Sequence, residues 1–227
     1  MDTKNLSEKS KAYYGENYYY ELFSSAEDYP NKILNELKRE VKNKVVLDAG
    51  CGSGKFLPVV SKLAKYYYGI DASSSQLVLA ANKIISKEKV TLICSDLCNI
   101  SLEDSSIDII YLSWVLGTIL DLNKREKVLR ELLRVLKPGG KILLIENNIG
   151  NEFEEIRGRD KDNRTKDYNN WILSKNFKVL KEFTTYFKFN TIEETKKVFD
   201  VIYGSEISSK INSRNINQNI IIFELYK

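Results

Sequence analysis

Short apolar segments alternate with longer amphipathic segments through the middle of the chain. The apolar segments are rich in Val, Ile, Leu and Tyr and have the length of buried strands. They occupy 44–48, 66–70, 90–94, 107–112 and 141–146. Between them, apolar residues recur three and four positions apart, as from Leu77 to Ile85, which predicts amphipathic helices. Strands that alternate with helices predict a mostly parallel sheet with helices on both faces.

The two ends of the chain give weaker patterns. Residues 1–30 are polar and rich in tyrosine, and Tyr14, Tyr18 and Phe23 fall at roughly helical spacing. This predicts either a short helix packed on the domain or an aromatic lid over a ligand. Past the fifth strand, 147–166 is polar and charged without a hydrophobic period, which predicts a surface loop or a substrate lid. The other predicted elements are a helix at 33–41, a helix near 165–175, a strand at 177–189, a helix at 192–203 and a strand at 220–223.

A glycine-rich turn follows the first strand, in the sequence VVLDAGCGSGKF from Val45 to Phe56. A strand, a tight turn and a helix start can direct backbone N–H groups at a bound ligand. A dinucleotide-binding fingerprint would need glycine at position 55, where Lys55 stands. A P-loop would need Ser or Thr after that lysine, but Phe56 follows it. The turn therefore matches neither phosphate-binding motif.

Three acids, Asp48, Asp71 and Asp96, each end one of the first three strands. Parallel strands of one sheet bring their carboxyl ends to one edge, so these acids should line a common crevice. Asp71 lies about 20 residues beyond the first glycine of the turn, the distance at which an acid reaches the hydroxyls of a cofactor ribose.

Composition and charge restrict the class of protein. The 227 residues are 43% hydrophobic and 29% charged, as in soluble globular proteins. No apolar run reaches the roughly 18 residues of a membrane span, and the N-terminus lacks the apolar region of a signal peptide, so we predict a cytoplasmic protein. The 35 basic and 31 acidic residues are interspersed and give a net charge of +4, which is not typical of a nucleic-acid-binding surface.

The cysteine spacing and the absence of histidine argue against disulfides, metal sites and histidine-dependent catalysis. Cys51, Cys94 and Cys98 lack the paired spacing of a disulfide framework, and the chain has no histidine. We therefore predict no metal site, and a Ser-His or Cys-His catalytic pair is excluded. A general base, if one is used, would have to be Asp, Glu, Tyr, Cys or a water molecule.

Residues 44–146 resemble the class I S-adenosylmethionine-dependent methyltransferases. The resemblance lies in the turn from Val45 to Phe56, Gly69-Ile70-Asp71, Ser95-Asp96-Leu97, the segment from Ile107 to Trp114, and Leu136-Lys137-Pro138-Gly139-Gly140-Lys141. It implies a single α/β, Rossmann-like domain with a mostly parallel seven-stranded sheet, whose antiparallel last strand, about 219–226, lies between the fifth and sixth. The expected layout is a helical cap at 1–43, a cofactor-binding core at 44–146, a substrate lid at 147–170 and C-terminal strands at 171–227.

The same resemblance implies a binding site for S-adenosylmethionine, with S-adenosylhomocysteine as product. The expected cofactor-binding residues are Tyr14, Asp48, Ala49, Gly50, Cys51, Gly52, Gly54, Asp71, Ala72, Gln76, Ser95, Asp96, Leu97 and Ser113. The expected acceptor-binding residues are Tyr18, Trp114 and Asn147. The sequence assigns no catalytic residue.

The implied activity is transfer of a methyl group to a nucleophilic oxygen or nitrogen of a small molecule. One alternative is methylation of protein or peptide N-terminal amines, because Trp114-Val115-Leu116-Gly117 with Glu146-Asn147 resembles those enzymes, although Thr118 replaces their expected histidine. Another is a regulatory subunit that binds S-adenosyl ligands without catalysis. An RNA acceptor is less favoured, since no basic stripe occurs. The acceptor, the methylated atom and the oligomeric state stay open.

Overall fold

The structure is a computed structural model that describes residues 17–227. The predicted site residue Tyr14 lies outside the described residues. The described residues divide into two compact units: the 33–145 unit, which also contains residues 224–227, and the 146–223 unit, which also contains residues 17–32. The predicted subdivision of the domain at 43, 146 and 170 stays a prediction. Within residues 17–227, no helix is both long enough and apolar enough to cross a membrane.

The strands form one sheet of seven, in the order β3-β2-β1-β4-β5-β7-β6. Their bounds are β1 Val45–Ala49, β2 Tyr66–Asp71, β3 Val90–Cys94, β4 Ile107–Ser113, β5 Leu136–Asn147, β6 Lys178–Lys188 and β7 Asn215–Tyr226. The first five strands pair in parallel. β7 runs antiparallel to β5, because the Gly139 N–H donates to the Lys227 carbonyl and the Asn148 N–H to the Asn219 carbonyl. This confirms the predicted fold class, with the last strand between the fifth and sixth.

The helices flank and connect these strands. Their bounds are α1 Asn17–Ala26, α2 Lys32–Val41, α3 Leu57–Leu63, α4 Ser74–Ala81, α5 Leu122–Val135, α6 Glu152–Ile156, α7 Arg159–Asp162, α8 Arg164–Leu173, α9 Ile192–Tyr203 and α10 Ser205–Ser208. The helix predicted at 192–203 has the predicted bounds.

Two boundaries differ from the prediction. α4 ends at Ala81, so Ile84 and Ile85 lie beyond the helix, and the Ile85 side chain is 57% exposed. β5 already begins at Leu136, but its pairing with β4 skips from Leu136 to Lys141, so the predicted break at Pro138-Gly139-Gly140 is an irregularity within the strand. Gly139 is left-handed, with φ of 76°, and Lys227 bonds to both glycines, accepting from the Gly139 N–H and donating to the Gly140 carbonyl. The preference of a Pro-Gly-Gly sequence for a turn is thus accommodated inside the strand.

The segment 147–166, predicted as a loop or lid, contains helices. The Asn151 side chain caps α6 by accepting a hydrogen bond of 3.2 Å from the Glu154 N–H. Gly158 then takes a left-handed conformation, with φ of 68°, and separates α6 from α7. These helices are too short to show a clear apolar period, which explains why the sequence pattern did not predict them. A lid function for this segment stays a prediction.

Each unit has its own core. In the 33–145 unit, the central strands are buried on both faces, and Val46, Leu47, Tyr67, Tyr111 and Leu112 are all 0% exposed. The core of the 146–223 unit is instead aromatic. It includes Phe23, Phe153, Phe187, Phe189 and Phe199. Phe23 of α1 lies with its ring centroid 4.8 Å from that of Phe187, so the helix predicted from the tyrosine-rich segment packs through a phenylalanine.

Candidate functional site

The glycine turn adopts a backbone that other residues would strain. Gly50, Gly52 and Gly54 have φ of 84°, 54° and 77°, in the left-handed region that favours glycine. A Cβ atom on Gly50 would lie 2.4 Å from Cγ2 of Val115, which belongs to the loop after β4. The turn therefore packs tightly against that loop, and this contact depends on the missing side chain.

The N–H groups of the turn bond within the protein. Those of Gly50 and Cys51 donate to the Ile70 carbonyl at 2.7 and 3.0 Å, and that of Gly54 donates to the Cys51 carbonyl at 2.9 Å. The Gly52 N–H donates to Oδ2 of Asp71 at 2.9 Å. Three of these four donors join the turn to β2, and the fourth closes the turn on itself, which differs from the expectation that the turn directs its N–H groups at a ligand. The hydrogen bonds hold a turn whose residues 51–54 are buried.

Asp71 is oriented by the backbone on both sides of it. Its Oδ2 accepts from Gly52, and its Oδ1 accepts from the Ser73 N–H at 2.8 Å. The residue is 6% exposed. Because each carboxylate oxygen accepts from a different backbone N–H, these two bonds fix the direction of the side chain. Asp71 thus connects the end of β2 to the glycine turn, as the sequence predicted for their shared edge.

Asp48 is directed inward. Its Oδ2 accepts hydrogen bonds of 2.7 Å from the hydroxyls of Tyr67 and Tyr111, and its Oδ1 has no hydrogen-bond partner among residues 17–227. Burial raises the pKa of Asp48 to about 7, because the two hydrogen bonds offset only part of the cost of a buried charge and the charge of Asp71 adds to that cost. Asp48 therefore joins β1 to the buried tyrosines of β2 and β4, one residue before the end of its strand.

Asp96 is partly exposed and paired with a lysine that the sequence did not single out. Its Oδ2 lies 2.7 Å from Nζ of Lys124 on α5, and its Oδ1 accepts from the Cys98 N–H at 2.9 Å. Burial alone would raise the pKa of Asp96, but the hydrogen bonds from Lys124 and Cys98 outweigh it and lower the pKa. Asp96 is thus held as a carboxylate.

The remaining predicted cofactor residues of the 33–145 unit lie near the same edge of the sheet. Ala49 pairs with Ile70, Asp71 with Cys94, and Ser113 with Ile145, so the carboxyl ends of the parallel strands are adjacent. Ala72 and Ser95 are half-buried, whereas Cys51, Leu97 and Gln76 are buried. The Gln76 N–H donates to the Ser73 hydroxyl at 3.4 Å, which places Gln76 in the first turn of α4.

Trp114 adopts an unusual backbone at the end of β4. Its φ is 55°, a left-handed value that costs a bulky residue about 1–3 kcal/mol. The Trp114 N–H donates to the Ile145 carbonyl at 2.9 Å, and Nζ of Lys55 lies 5.4 Å from the centroid of its ring. Strain of this kind collects at functional sites, which favours a role for Trp114 beyond core packing.

The other two predicted acceptor residues belong to the 146–223 unit. Tyr18 on α1 is 69% exposed and contacts Tyr19 edge to face, at 5.2 Å between ring centroids. Asn147 ends β5 and bonds to two amides, accepting from Gln218 at 2.7 Å and, through its carbonyl, from Asn169 at 3.1 Å. The sequence pattern pointed to neither Gln218 nor Asn169, because they are distant along the chain.

The strand order is that of the Rossmann-like class I methyltransferase fold, and the glycine turn and the acids at successive strand ends lie where the resemblance expects them. A family model described as "Methyltransferase domain" matches residues 47–144. This match covers less than half of the chain and lies within the segment that carries the resemblance.

Two curated methyltransferases and one solved structure are also similar to this chain. The chain is 28% identical to phosphoethanolamine N-methyltransferase 1 of Triticum aestivum over 178 residues, which are 76% of this chain and 34% of that protein. It is 32% identical over 110 residues to demethylmenaquinone methyltransferase of Staphylococcus aureus, covering 47% and 44% of the two chains. The chain thus spans less than half the length of either curated relative. A SAM-dependent methyltransferase structure from Thermotoga maritima has a TM-score of 0.61 at 15% identity, covering 97% of this chain and 100% of that one, so the two share a fold.

Proposed function

We propose that this protein transfers a methyl group from S-adenosylmethionine to a small-molecule acceptor. The supporting observation is that the glycine turn is hydrogen-bonded to Asp71, at adjacent strand ends inside the segment that matches the methyltransferase family. Open α/β sheets bind ligands outside the carboxyl ends of their strands.

The residues at these strand ends fit the cofactor. Asp71 would accept from the ribose hydroxyls, since its two backbone bonds orient the carboxylate at the end of β2. Asp96 would accept from the adenine amine, with Leu97 and Ala72 beside the ring. The turn from Gly50 to Gly54 would lie against the methionine part. The roles proposed for Tyr14, Ala49, Cys51, Gln76, Ser95 and Ser113 are secondary contacts to the same ligand.

S-adenosylmethionine supplies a methyl group on a positively charged sulfur, so the acceptor's lone pair forms the new bond while the carbon–sulfur electron pair stays with sulfur. The protein's task is then to hold donor and acceptor close, aligned and dry. Trp114, held in a strained conformation beside Val115 and the glycine turn, is proposed as one wall of the reaction site. A dedicated general base is not required for this role.

The names of two relatives favour a small-molecule acceptor. The wheat relative is a phosphoethanolamine methyltransferase and the staphylococcal one a demethylmenaquinone methyltransferase. The mixed surface charge, with a net charge of +4 over 227 residues, gives no reason to prefer a nucleic acid.

Asp71→Asn is expected to weaken S-adenosylhomocysteine binding by about 10- to 100-fold, because a neutral amide loses the hydrogen bond of a charged acceptor, a loss of about 1–3 kcal/mol. Isothermal titration calorimetry measures this directly. Asp108→Asn is the matched control: Asp108 lies at the opposite end of its strand, pairs with Lys137 at 2.7 Å and should leave affinity within about twofold. Equal affinities of the two variants would remove Asp71 from the site.

Methyl transfer itself is tested with donor carrying a labelled methyl group. The purified protein and a cell extract separated into metabolites, protein and RNA should give label in the metabolite fraction. Label in protein or RNA would overturn the small-molecule proposal. Tight binding of S-adenosylhomocysteine without label in any fraction would instead identify a non-catalytic binding protein.

A further inference from the structure

A lysine directly after the glycine turn directs its charge over the loop that follows β4. Lys55 comes after Gly54 and is half-buried. Its Nζ lies 5.4 Å from the centroid of the Trp114 ring and 5.6 Å from that of the Phe56 ring. Both distances are within the roughly 6 Å at which an aromatic ring attracts a cation. The ammonium group is therefore held near two rings of the 33–145 unit.

The two rings are themselves held in place. Phe56 is 3% exposed, and its ring packs edge to face against that of Tyr111, at 6.3 Å between centroids. The Trp114 N–H is hydrogen-bonded to β5, and the next residue, Val115, packs against the glycine turn. The charge of Lys55 therefore has a defined position beside the glycine turn and the loop after β4.

A positive charge at this position acts differently on the two S-adenosyl ligands. S-adenosylmethionine has a positively charged sulfur, whereas the sulfur of S-adenosylhomocysteine is neutral, and the two molecules otherwise differ only by the methyl group. In the proposed function, the methionine part lies against the turn from Gly50 to Gly54, and Trp114 is one wall of the site. The charge on the residue after that turn repels the sulfur of the donor but not that of the product.

Other groups at the same edge of the 33–145 unit act in the opposite direction. Asp71, and Asp48 when it is ionised, attract a positively charged sulfur through their carboxylates. The face of the Trp114 ring attracts it as well, because an aromatic ring attracts any cation. Lys55 lies near that ring and carries the opposite charge to the two acids, so it reduces the preference for the donor that these groups create.

We propose that Lys55 is a specificity-determining residue that lowers the affinity for the donor relative to the product. This inference rests on the proposed function and adds a residue to it. Methyl transfer leaves the carbon–sulfur electron pair on sulfur and so removes the charge that Lys55 repels. The product is therefore retained more strongly than it would be without Lys55, and activity follows the ratio of donor to product more than the concentration of donor alone.

A series of charges at position 55 tests the proposal without knowledge of the acceptor. Lys55→Arg keeps the positive charge, Lys55→Met removes it and Lys55→Glu reverses it. Calorimetry measures the dissociation constants of S-adenosylmethionine and S-adenosylhomocysteine for each variant. The ratio of the donor constant to the product constant should stay within about twofold in Lys55→Arg, fall about threefold in Lys55→Met and fall about tenfold in Lys55→Glu, since water screens partly exposed charges.

Lys62→Met is the matched control, because Lys62 is exposed on α3 and loses the same charge. Its ratio should equal that of the native protein. A variant that is partly unfolded binds both ligands more weakly by the same factor, so the ratio still reports the effect of charge. A ratio that does not follow the charge at position 55 would overturn this inference alone, even if both affinities fall. Failure of the native protein to bind either ligand would reject the proposed function and this inference with it.

Discussion

Gly50→Ala is expected to lower the free energy of unfolding by about 2–5 kcal/mol and to abolish measurable S-adenosylhomocysteine binding. The left-handed backbone, with φ of 84°, costs an alanine about 1–3 kcal/mol. The new Cβ would also lie 2.4 Å from Cγ2 of Val115, and overpacking of this kind costs about 1–3 kcal/mol more. Urea denaturation measures the first effect and calorimetry with the ligand measures the second.

Two further variants separate the backbone effect from the steric effect. Gly139 has a similar φ of 76° but nothing within 4 Å of its added Cβ, so Gly139→Ala should lose only the backbone part, about 1–3 kcal/mol. Val115→Ala removes both Cγ atoms and leaves Cβ at 3.3 Å from the new methyl group. The double variant Gly50→Ala/Val115→Ala should therefore be more stable than the sum of the single changes predicts. Strict additivity, or equal losses at positions 50 and 139, would show that Val115 does not confine Gly50.

The contact between Gly50 and Val115 illustrates which features the sequence could predict. Glycine at 50, 52 and 54 after a strand is a local signal, and the strand periodicity is also local, so the turn and the mostly parallel sheet were predicted correctly. The antiparallel last strand was predicted only from the family resemblance, and the structure confirms it. The shared edge of the acids followed from topology, since parallel strands end together. Whether those residues bind the cofactor stays a prediction that the Asp71 variant tests.

Interactions between distant residues could not be predicted in the same way. Lys124 reaches Asp96 from a helix 28 residues further along, and Gln218 reaches Asn147 across 71 residues. Nothing in the periodicity of either segment indicates its partner. Tyr67 and Tyr111 gave a partial signal, because tyrosine is polar at one end and unusual in a fully buried strand. Burying two hydroxyls requires acceptors, and Asp48 pairs with Tyr111 in the sheet register.

The same three residues, Asp48, Tyr67 and Tyr111, lead to a pH dependence of stability. The pKa of Asp48 is raised from an ordinary value near 3.8 to about 7, first by burial and then by the charge of Asp71, against the two tyrosine hydrogen bonds. Between these values the unfolded chain has lost the Asp48 proton while the folded chain retains it. The contribution of Asp48 to the free energy of unfolding is therefore fully present below pH 4 and is lost as the pH rises towards 7.

Asp48→Asn is expected to remove this loss, because an amide oxygen can still accept from both tyrosine hydroxyls and carries no charge at any pH. The difference in unfolding free energy between the variant and the native protein should increase in favour of the variant, by on the order of 4 kcal/mol between pH 4 and pH 8. Urea denaturation at several pH values measures this difference.

Asp108 provides a control of opposite sign. Burial acts to raise the pKa of Asp108, but hydrogen bonds from Lys137 and the Val45 N–H outweigh burial and lower the pKa. The free energy of unfolding of Asp108→Asn should therefore approach that of the native protein as the pH falls below 4. Above pH 4 the difference between the two should be constant. Parallel stability curves for the native protein and Asp48→Asn from pH 4 to 8 would show that Asp48 is ionised throughout, and that the two tyrosines stabilise a buried carboxylate.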